Sequence, residues 1–144
     1  MFRESFFSND VLETIDIAST FVSNLQEKNC IIFLNGDLGA GKTHFTKGIF
    51  KGLGFSNYIE INSPTFDIVN SYDINNLKIN HLDLYRLDKI NSEDEIWLTE
   101  IINENGLSII EWGNKFEFET GKKTYFVNNF IQDENVRKIE ISSN

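Results

Sequence analysis

Residues 36–43 have the sequence Gly36-Asp37-Leu38-Gly39-Ala40-Gly41-Lys42-Thr43, which completes the pattern G-x-x-x-x-G-K-[ST] of a phosphate-binding P-loop. The apolar run Cys30–Leu34 precedes this segment and is typical of a buried strand. After it, Phe45, Ile49 and Leu53 recur every four residues, which predicts the inner face of a helix. A strand, a glycine-rich loop and a helix thus follow one another in the order that a P-loop requires.

The chemistry of the loop follows from its residue types. Glycines allow the backbone N–H groups of residues 36–43 to turn toward phosphate oxygens, and the N-terminus of the following helix adds a positive field. We expect Lys42 to contact the β- and γ-phosphates and the hydroxyl of Thr43 to ligate Mg²⁺. The alternative, a glycine-rich turn with a chance lysine, is disfavoured by the flanking strand and helix. The sequence therefore predicts that the chain binds a nucleoside triphosphate.

Length and composition predict one globular domain over residues 1–144. The chain has 13 phenylalanines and one proline, which is typical of a folded protein with a substantial core. The single cysteine, Cys30, excludes an internal disulfide, and its place in an apolar strand predicts a buried structural thiol. The first residues lack the apolar segment of a signal peptide, and no apolar stretch reaches membrane-spanning length. These features predict a cytoplasmic protein.

The net charge of −9 argues against extensive direct contact with nucleic acid. A surface that repels phosphate backbones gains no affinity from counterion release. The densest basic segment, Lys122-Lys123, is too small to change this locally. Acidity combined with a triphosphate site indicates a protein that acts on another protein.

The rest of the chain alternates predicted strands and helices. Apolar spacing predicts a first helix over roughly residues 10–28, capped by Asp10 and Glu13, and the pair Ser92 and Glu95 would cap a helix that ends near Ile102. A hairpin turn is predicted at Asn75-Asn76, and strands over Phe66–Ser71, Leu77–Asp83, Leu107–Glu111, Thr124–Phe130 and Val136–Ser142. This order favours an α/β fold, a three-layer α/β/α P-loop NTPase sandwich with a mostly parallel sheet and antiparallel additions.

Two acids at predicted strand ends, Asp83 and Glu111, are candidates for catalytic roles. Ligands of such sheets bind at the carboxyl ends of the strands. In P-loop enzymes one acid supports Mg²⁺ and another orients the attacking water. The strand before Glu111 is the more apolar of the two, since Lys78, Asn80 and His81 interrupt the strand before Asp83. Spacing alone does not divide the two roles.

Three further residues have both a structural and a functional interpretation. Thr65 follows Pro64 at a turn and either starts a strand or offers its hydroxyl to a γ-phosphate or a metal-bound water. His81 is more typical of a packed, hydrogen-bonded histidine than of a base. Trp112 either flanks the nucleotide or packs in the core.

Short motifs and the arginine count bear on the alternatives to an ATPase. Asn114-Lys115-Phe116-Glu117 is close to the guanine-reading pattern N-K-x-D but ends in glutamate, and Asp83-Leu84-Tyr85-Arg86 lacks the glycine of the switch pattern D-x-x-G. Guanine specificity is therefore disfavoured. A small-molecule kinase would need a lid with phosphate-clamping arginines, and the chain has only three arginines. A nucleotide-dependent switch, whose bound state matters more than its turnover, is a further alternative.

Four blocks together resemble one family over nearly the whole chain. They are residues 36–43, Ser63-Pro64-Thr65-Phe66, residues 81–87 with the sequence HLDLYRL, and Ile110-Glu111-Trp112, in the order and spacing of the TsaE (YjeE) ATPases. The resemblance implies a bacterial ATPase required for the threonylcarbamoyladenosine modification at position 37 of ANN-decoding tRNAs. It also implies Mg²⁺-dependent ATP hydrolysis in a complex with TsaD and TsaB, contact with tRNA only through that complex, and no threonylcarbamoyl transfer by the protein itself.

The resemblance also implies roles for single residues. Thr43 and Glu111 match the Mg²⁺ ligands of the family, and Lys42 matches its phosphate clamp. Asp83 matches the acid of a Walker B-like strand, and Thr65 matches a switch threonine.

The tryptophan that the family has beside its nucleotide site corresponds to Trp112. Three positions depart from the family pattern, since Trp97 replaces a usual glycine, Gly113 a common proline and His44 a more usual small or polar residue. The bulk of Trp97 bears on local packing or a partner contact and not on the nucleotide site.

Overall fold

A computed structural model describes residues 2–144 and, apart from position 115, their side chains. It shows a mixed α/β fold with one seven-stranded sheet and three α-helices. The helices are α1 (Val11–Ser23), α2 (Lys42–Gly52) and α3 (Ser92–Ile102). The strands are β1 (Arg3–Ser8), β2 (Cys30–Asn35), β3 (Val69–Ile74), β4 (Leu77–Asp83), β5 (Leu107–Glu111), β6 (Lys123–Ile131) and β7 (Arg137–Ser143).

The strand register brings the ends of three strands together. The strands follow the order β1-β7-β6-β2-β5-β4-β3, and the four strands β6, β2, β5 and β4 are mutually parallel. Strand β3 runs antiparallel to β4, and β7 runs antiparallel to both β6 and β1. Glu111, the last residue of β5, pairs with Leu34 of β2 on one side and with Asp83 of β4 on the other. Both acids therefore lie beside the point where the chain leaves β2 for the glycine-rich loop.

Neighbouring residues of β2 belong to two different hydrophobic clusters. Ile32 belongs to the cluster that contains the buried side chains of α1 and α2, whereas Ile31 belongs to the cluster that contains Leu98 and Ile102 of α3. This follows from the alternation of side chains along a strand. Cys30 is buried at the start of β2, and this burial raises the pKa of its thiol to about 12, so the predicted structural thiol is confirmed.

The first helix begins as predicted but ends earlier. The carboxylate of Asp10 accepts a hydrogen bond of 2.8 Å from the N–H of Glu13, and the Glu13 side chain in turn accepts one from the N–H of Asn9. The predicted extension to residue 28 is wrong, because α1 ends at Ser23. Leu25 continues the apolar spacing, but it packs against the core from the loop that follows the helix.

The strand predicted over Phe66–Ser71 begins three residues later, at Val69. The carbonyl of Pro64 accepts a hydrogen bond of 2.8 Å from the N–H of Ile68, which closes a turn, and Phe66 is 81% exposed on it. Local apolar character suggested a strand here, but the proline fixes the turn instead.

The capping residues of α3 also differ from the prediction by one position. Asn91 and Asp94 form the capping box, in place of the expected Ser92 and Glu95, since the Asn91 side chain accepts a 2.8 Å hydrogen bond from the N–H of Asp94. The end of the helix at Ile102 is confirmed.

Other local predictions are confirmed. Strands Leu77–Asp83 and Leu107–Glu111 have the expected bounds, and β6 and β7 form the expected antiparallel pair. Asn75 and Asn76 have φ values of 50° and 66°, which is the backbone of a tight hairpin turn. Strand β1 was not predicted, because it is short and mostly exposed. No helix of the described part of the chain is long and apolar enough to cross a membrane.

Helices α1 and α2 pack closely at two glycines. A Cβ atom added to Gly48 would lie 2.4 Å from the carbonyl oxygen of Ile15 and 2.5 Å from the Cβ of Ala18. One turn later, a Cβ on Gly52 would lie 2.4 Å from a methyl group of Val22. Glycine permits this approach, and the approach sets the position of α2, whose first residue is the P-loop lysine.

Gly48→Ala should lower the free energy of unfolding by about 1–3 kcal/mol, because the added methyl meets backbone atoms that move only if α1 and α2 separate. Alanine has the higher helix propensity by roughly 1 kcal/mol, so a loss of stability reports the close packing. Urea unfolding measures the effect. Gly121→Ala is the control, since a Cβ there meets nothing within 4 Å. Equal or greater stability of Gly48→Ala would contradict the close approach.

Candidate functional site

The loop between β2 and α2 has a backbone suited to an anion. Gly36 and Gly41 have φ values of 150° and 101°, a region that favours glycine, and a Cβ on Gly36 would lie 2.7 Å from the carbonyl oxygen of Asn129. Gly41 precedes the first turn of α2, and among the described residues no side chain caps this helix end. The N–H groups of that turn are therefore available to a ligand, with the helix dipole favouring negative charge.

A cavity of about 630 Å³ lies against this loop and brings most of the predicted site residues together. The predicted residues in its wall are Leu38, Gly39, Gly41, Lys42, Thr43, Thr65, Asp83, Glu111 and Trp112. Gly36, Asp37 and Ala40 belong to the loop itself, where Asp37 is exposed and Ala40 is buried. The cavity is called the loop cavity below.

Two further segments line the loop cavity that the sequence did not indicate. One is the start of α1, with Asn9, Asp10 and Val11, and the other is the turn between β6 and β7, with Glu134 and Asn135. Both come from distant parts of the chain, and neither carries a motif that marks a binding site.

Lys42 is only 7% exposed, and its ammonium has no hydrogen-bond partner among the described residues. The Nζ atom lies 3.8 Å from the centre of the Trp112 ring. Burial lowers the pKa of Lys42, and the nearby carboxylates of Glu111 and Asp83 oppose that shift. A buried cation with unused donors is costly unless an anion accepts them. This orphaned ammonium at a helix N-terminus fits a phosphate group.

Trp112 has a left-handed backbone, with φ 60° and ψ 31°. For a bulky side chain this conformation costs of order 1–3 kcal/mol and is typical of functional sites. Its ring packs 5.1 Å from that of Tyr85, centre to centre, and carries the Lys42 ammonium on its face. The strained residue thus places an aromatic wall directly beside the Lys42 ammonium.

Glu111 is buried and holds two short hydrogen bonds. Its Oε2 accepts one of 2.7 Å from the hydroxyl of Ser63 and one of 2.7 Å from Nε2 of His81. Burial alone would raise the pKa of Glu111, but the hydrogen bonds from His81 and Ser63, with the charges of His81 and Lys42, bring that pKa below its ordinary value. The carboxylate is therefore ionised at neutral pH. The packed, hydrogen-bonded histidine predicted at position 81 is confirmed.

Asp83, the partner of Glu111 in the strand register, has the opposite electrostatics. Burial raises the pKa of Asp83, and the charge of Glu111 adds to this. The N–H of Tyr85 donates a 3.0 Å hydrogen bond to Asp83 Oδ1 and limits the shift. Two neighbouring carboxylates whose pKa values move apart are suited to different tasks.

Thr65 reaches the loop cavity from the turn that precedes β3. Its N–H donates to the carbonyl of Ser63 at 2.9 Å, and the adjacent Ile61 and Pro64 are buried. The Nζ of Lys47 donates to the carbonyl of Ile61 at 2.6 Å and ties this segment to α2. The contacts of the preceding segment, residues 61–64, thus hold Thr65 at the cavity wall.

The donor set around the loop cavity fits Mg²⁺ held jointly with phosphates. Within the described residues there is no group of three or more His, Cys, Asp or Glu arranged to hold a metal alone. Mg²⁺ usually binds one or two protein oxygens and completes its shell with phosphates and water. The hydroxyl of Thr43 and the carboxylate of Glu111 both line the cavity and are oxygen ligands of this kind.

The segment considered for guanine recognition lies elsewhere. Asn114, Phe116 and Glu117 line a different cavity, of about 560 Å³, together with Phe33 and Phe118. They are not among the described residues that line the loop cavity.

Comparison with known proteins places the same family name on the family model and on the relatives that match this sequence. The family model "Threonylcarbamoyl adenosine biosynthesis protein TsaE" matches residues 8–143. A Rickettsia felis protein named tRNA threonylcarbamoyladenosine biosynthesis protein TsaE is 38% identical over 136 residues, which cover 94% of this chain and 78% of the relative. A Bacillus subtilis protein of the same name is 39% identical over 87 residues, or 60% of this chain, and the aligned part spans about half (52%) of that relative's length.

The fold agrees with the sequence comparison. The crystal structure of Bacillus subtilis YdiB superimposes with a TM-score of 0.73 and 26% identity, covering 99% of this chain and 86% of YdiB. The family match spans all the elements that form the loop cavity, from the start of α1 to β7. The chain therefore belongs to the TsaE family of threonylcarbamoyl adenosine biosynthesis proteins.

Proposed function

We propose that this protein is a Mg²⁺-dependent P-loop ATPase that serves threonylcarbamoyladenosine formation at position 37 of ANN-decoding tRNAs. The observation that carries the proposal is the buried ammonium of Lys42, which lies at the N-terminus of α2 without a hydrogen-bond partner in the described structure. A triphosphate bound along the glycine-rich loop would accept its three donors. The relatives named for this tRNA modification supply the biological context.

The remaining residues of the loop cavity take roles that follow from their chemistry. The backbone N–H groups of residues 39–43 bind phosphate oxygens, and the Trp112 ring forms the part of the cavity wall on which the Lys42 ammonium lies. Thr43 and Glu111 would hold Mg²⁺, which when bound offsets charge on the β- and γ-phosphates. Asp83, with its raised pKa, is suited to orient the attacking water and accept its proton. Thr65, in the wall of the loop cavity, offers its hydroxyl to the γ-phosphate.

We interpret the architecture as a three-layer α/β/α P-loop sandwich. The two hydrophobic clusters support this, since one contains residues of α1 and α2 and the other contains residues of α3. The parallel centre of the sheet and the position of the loop cavity at its strand ends agree with how such folds bind ligands.

The proposed partners are TsaD and TsaB, with tRNA contacted only through that complex. Exposed apolar side chains at the mouth of the loop cavity, Val11, Leu38 and Tyr85, favour a protein partner over solvent at this face. The net charge of −9 disfavours direct binding of tRNA. We also propose that the isolated protein hydrolyses ATP slowly. Its proposed location is the cytoplasm, where tRNA is modified.

Lys42→Ala should weaken ATP binding by at least about 100-fold, because several charge-assisted hydrogen bonds of about 1.5–3 kcal/mol each are lost. Threonylcarbamoyladenosine formation in a reconstituted reaction should fall with it. Calorimetry and the modification assay measure the two effects. Lys51→Ala is the matched control, since Lys51 lies on the same helix, outside the cavity wall, and pairs with Asp16 at 3.4 Å.

Wild-type-like ATP affinity in Lys42→Ala would reject the proposed nucleotide site. Modification that proceeds equally well without the protein would reject its proposed pathway role. ATP should also bind better than GTP. A clear preference for GTP would instead support guanine recognition by residues 114–117.

The two acids should separate binding from catalysis. Glu111→Ala should weaken Mg²⁺-dependent ATP binding and stop turnover, because a metal ligand is lost. Asp83→Asn keeps its shape and should retain the nucleotide while hydrolysis in the full complex falls about 10²–10⁴-fold. Asp73→Asn, at an exposed position of β3, is the isosteric control.

Normal turnover of folded Asp83→Asn would make Asp83 a structural residue. If Asp83→Asn loses Mg²⁺-ATP binding and Glu111→Ala keeps it, the two roles are reversed.

A further inference from the structure

Two side chains from different parts of the chain hold the same oxygen of Glu111. His81, fully buried on β4, and Ser63, in the segment before the Pro64 turn, each donate to Oε2 at 2.7 Å. His81 is 30 residues from Glu111 in sequence, and Ser63 is 48 residues away. Neither donor is among the residues proposed to contact the nucleotide or the metal.

The arrangement fixes the direction of the carboxylate. Two donors approaching Oε2 from β4 and from the Ser63 segment prevent rotation of the carboxylate plane, because rotation would break both hydrogen bonds. Neither contact uses Oε1. Since Glu111 lines the loop cavity, Oε1 is the oxygen left to receive a ligand there.

We propose that Ser63 and His81 are positioning residues that hold the Glu111 carboxylate so that Oε1 meets the Mg²⁺ of a bound Mg²⁺-ATP. This inference rests on the proposed function, because it concerns the metal affinity of that same site. Hydrogen-bond partners of metal ligands orient them, and their loss typically weakens metal binding about 10- to 100-fold.

The Ser63 contact has a second consequence for the site. Its hydroxyl joins the end of β5 to the segment that carries Thr65, whose N–H donates to the Ser63 carbonyl. This hydrogen bond therefore connects the metal ligand to the segment that carries Thr65, whereas the Thr65 contact itself uses the Ser63 backbone, which Ser63→Ala leaves in place. A residue that only stabilised the fold would have no effect on metal affinity once the protein is folded.

Ser63→Ala removes one donor, and Ser63→Thr keeps it. The readout is the apparent Mg²⁺ affinity at fixed ATP, alongside the ATP affinity without Mg²⁺, both by calorimetry on the full chain. Ser63→Ala should weaken Mg²⁺ binding about 10- to 100-fold and leave Mg²⁺-free ATP binding within about twofold, as expected for a group that contacts no phosphate. Ser63→Thr should restore the Mg²⁺ affinity.

Ser71→Ala is the matched control. Ser71 donates a 2.6 Å hydrogen bond to Asn80, which precedes His81 on β4, so Ser71→Ala removes a serine hydroxyl from the hairpin that carries His81 without touching Glu111. His81→Gln keeps an N–H donor and should retain most Mg²⁺ affinity, whereas His81→Leu should lose it to the same extent as Ser63→Ala. If His81→Leu does not fold, the two Ser63 variants decide.

Folded Ser63→Ala with wild-type Mg²⁺ affinity would overturn the inference, and so would an equal loss in Ser71→Ala. Failure of the wild-type protein to bind ATP, with or without Mg²⁺, would overturn the proposed function instead. Loss of Mg²⁺ affinity in Ser63→Ala with Mg²⁺-free ATP binding retained supports both.

Discussion

The buried ammonium of Lys42 is the main energetic constraint on this structure. It is held away from solvent without a hydrogen-bond partner in the described chain, and burying an unpaired charge costs free energy. The close contact between α1 and α2 at Gly48 fixes the helix that carries it. The face of the Trp112 ring attracts the Lys42 ammonium. The carboxylates of Glu111 and Asp83 oppose the fall of the Lys42 pKa that burial causes. The folded state thus holds a cation and oriented N–H groups ready for an anion.

The two carboxylates differ although the register makes them neighbours. Glu111 accepts two side-chain hydrogen bonds, and its pKa lies below its ordinary value. Asp83 accepts one hydrogen bond, from the backbone N–H of Tyr85, and its pKa is raised. The difference comes from His81 and Ser63, which both donate to Glu111. A parallel sheet sets the two acids side by side, and the contacts around them shift their pKa values in opposite directions.

Local signals predicted the parts of the fold that local chemistry determines. The β2–loop–α2 unit, the bounds of β4 and β5 and the turn at Asn75-Asn76 follow from apolar spacing, glycines and turn residues. The end of α1, the start of β3 and the edge strand β1 were missed. The helix ends before its apolar spacing does, the turn at Pro64 extends to Ile68, and β1 is mostly exposed. The motifs indicated most of the residues that line the loop cavity. The hydrogen bond from Ser63 to Glu111 joins residues 48 apart, and no spacing pattern in the sequence indicates it.

A crystal structure with Mg²⁺ and a non-hydrolysable ATP analogue tests the central claim most directly. The account predicts that Lys42 Nζ leaves the Trp112 ring and lies about 2.7–3.0 Å from β- and γ-phosphate oxygens. It also predicts the metal at about 2.1 Å from Thr43 Oγ1 and Glu111 Oε1, while Oε2 keeps its bonds to Ser63 and His81. Phosphates bound outside the loop of residues 36–43, with Lys42 still on the Trp112 ring, would contradict it.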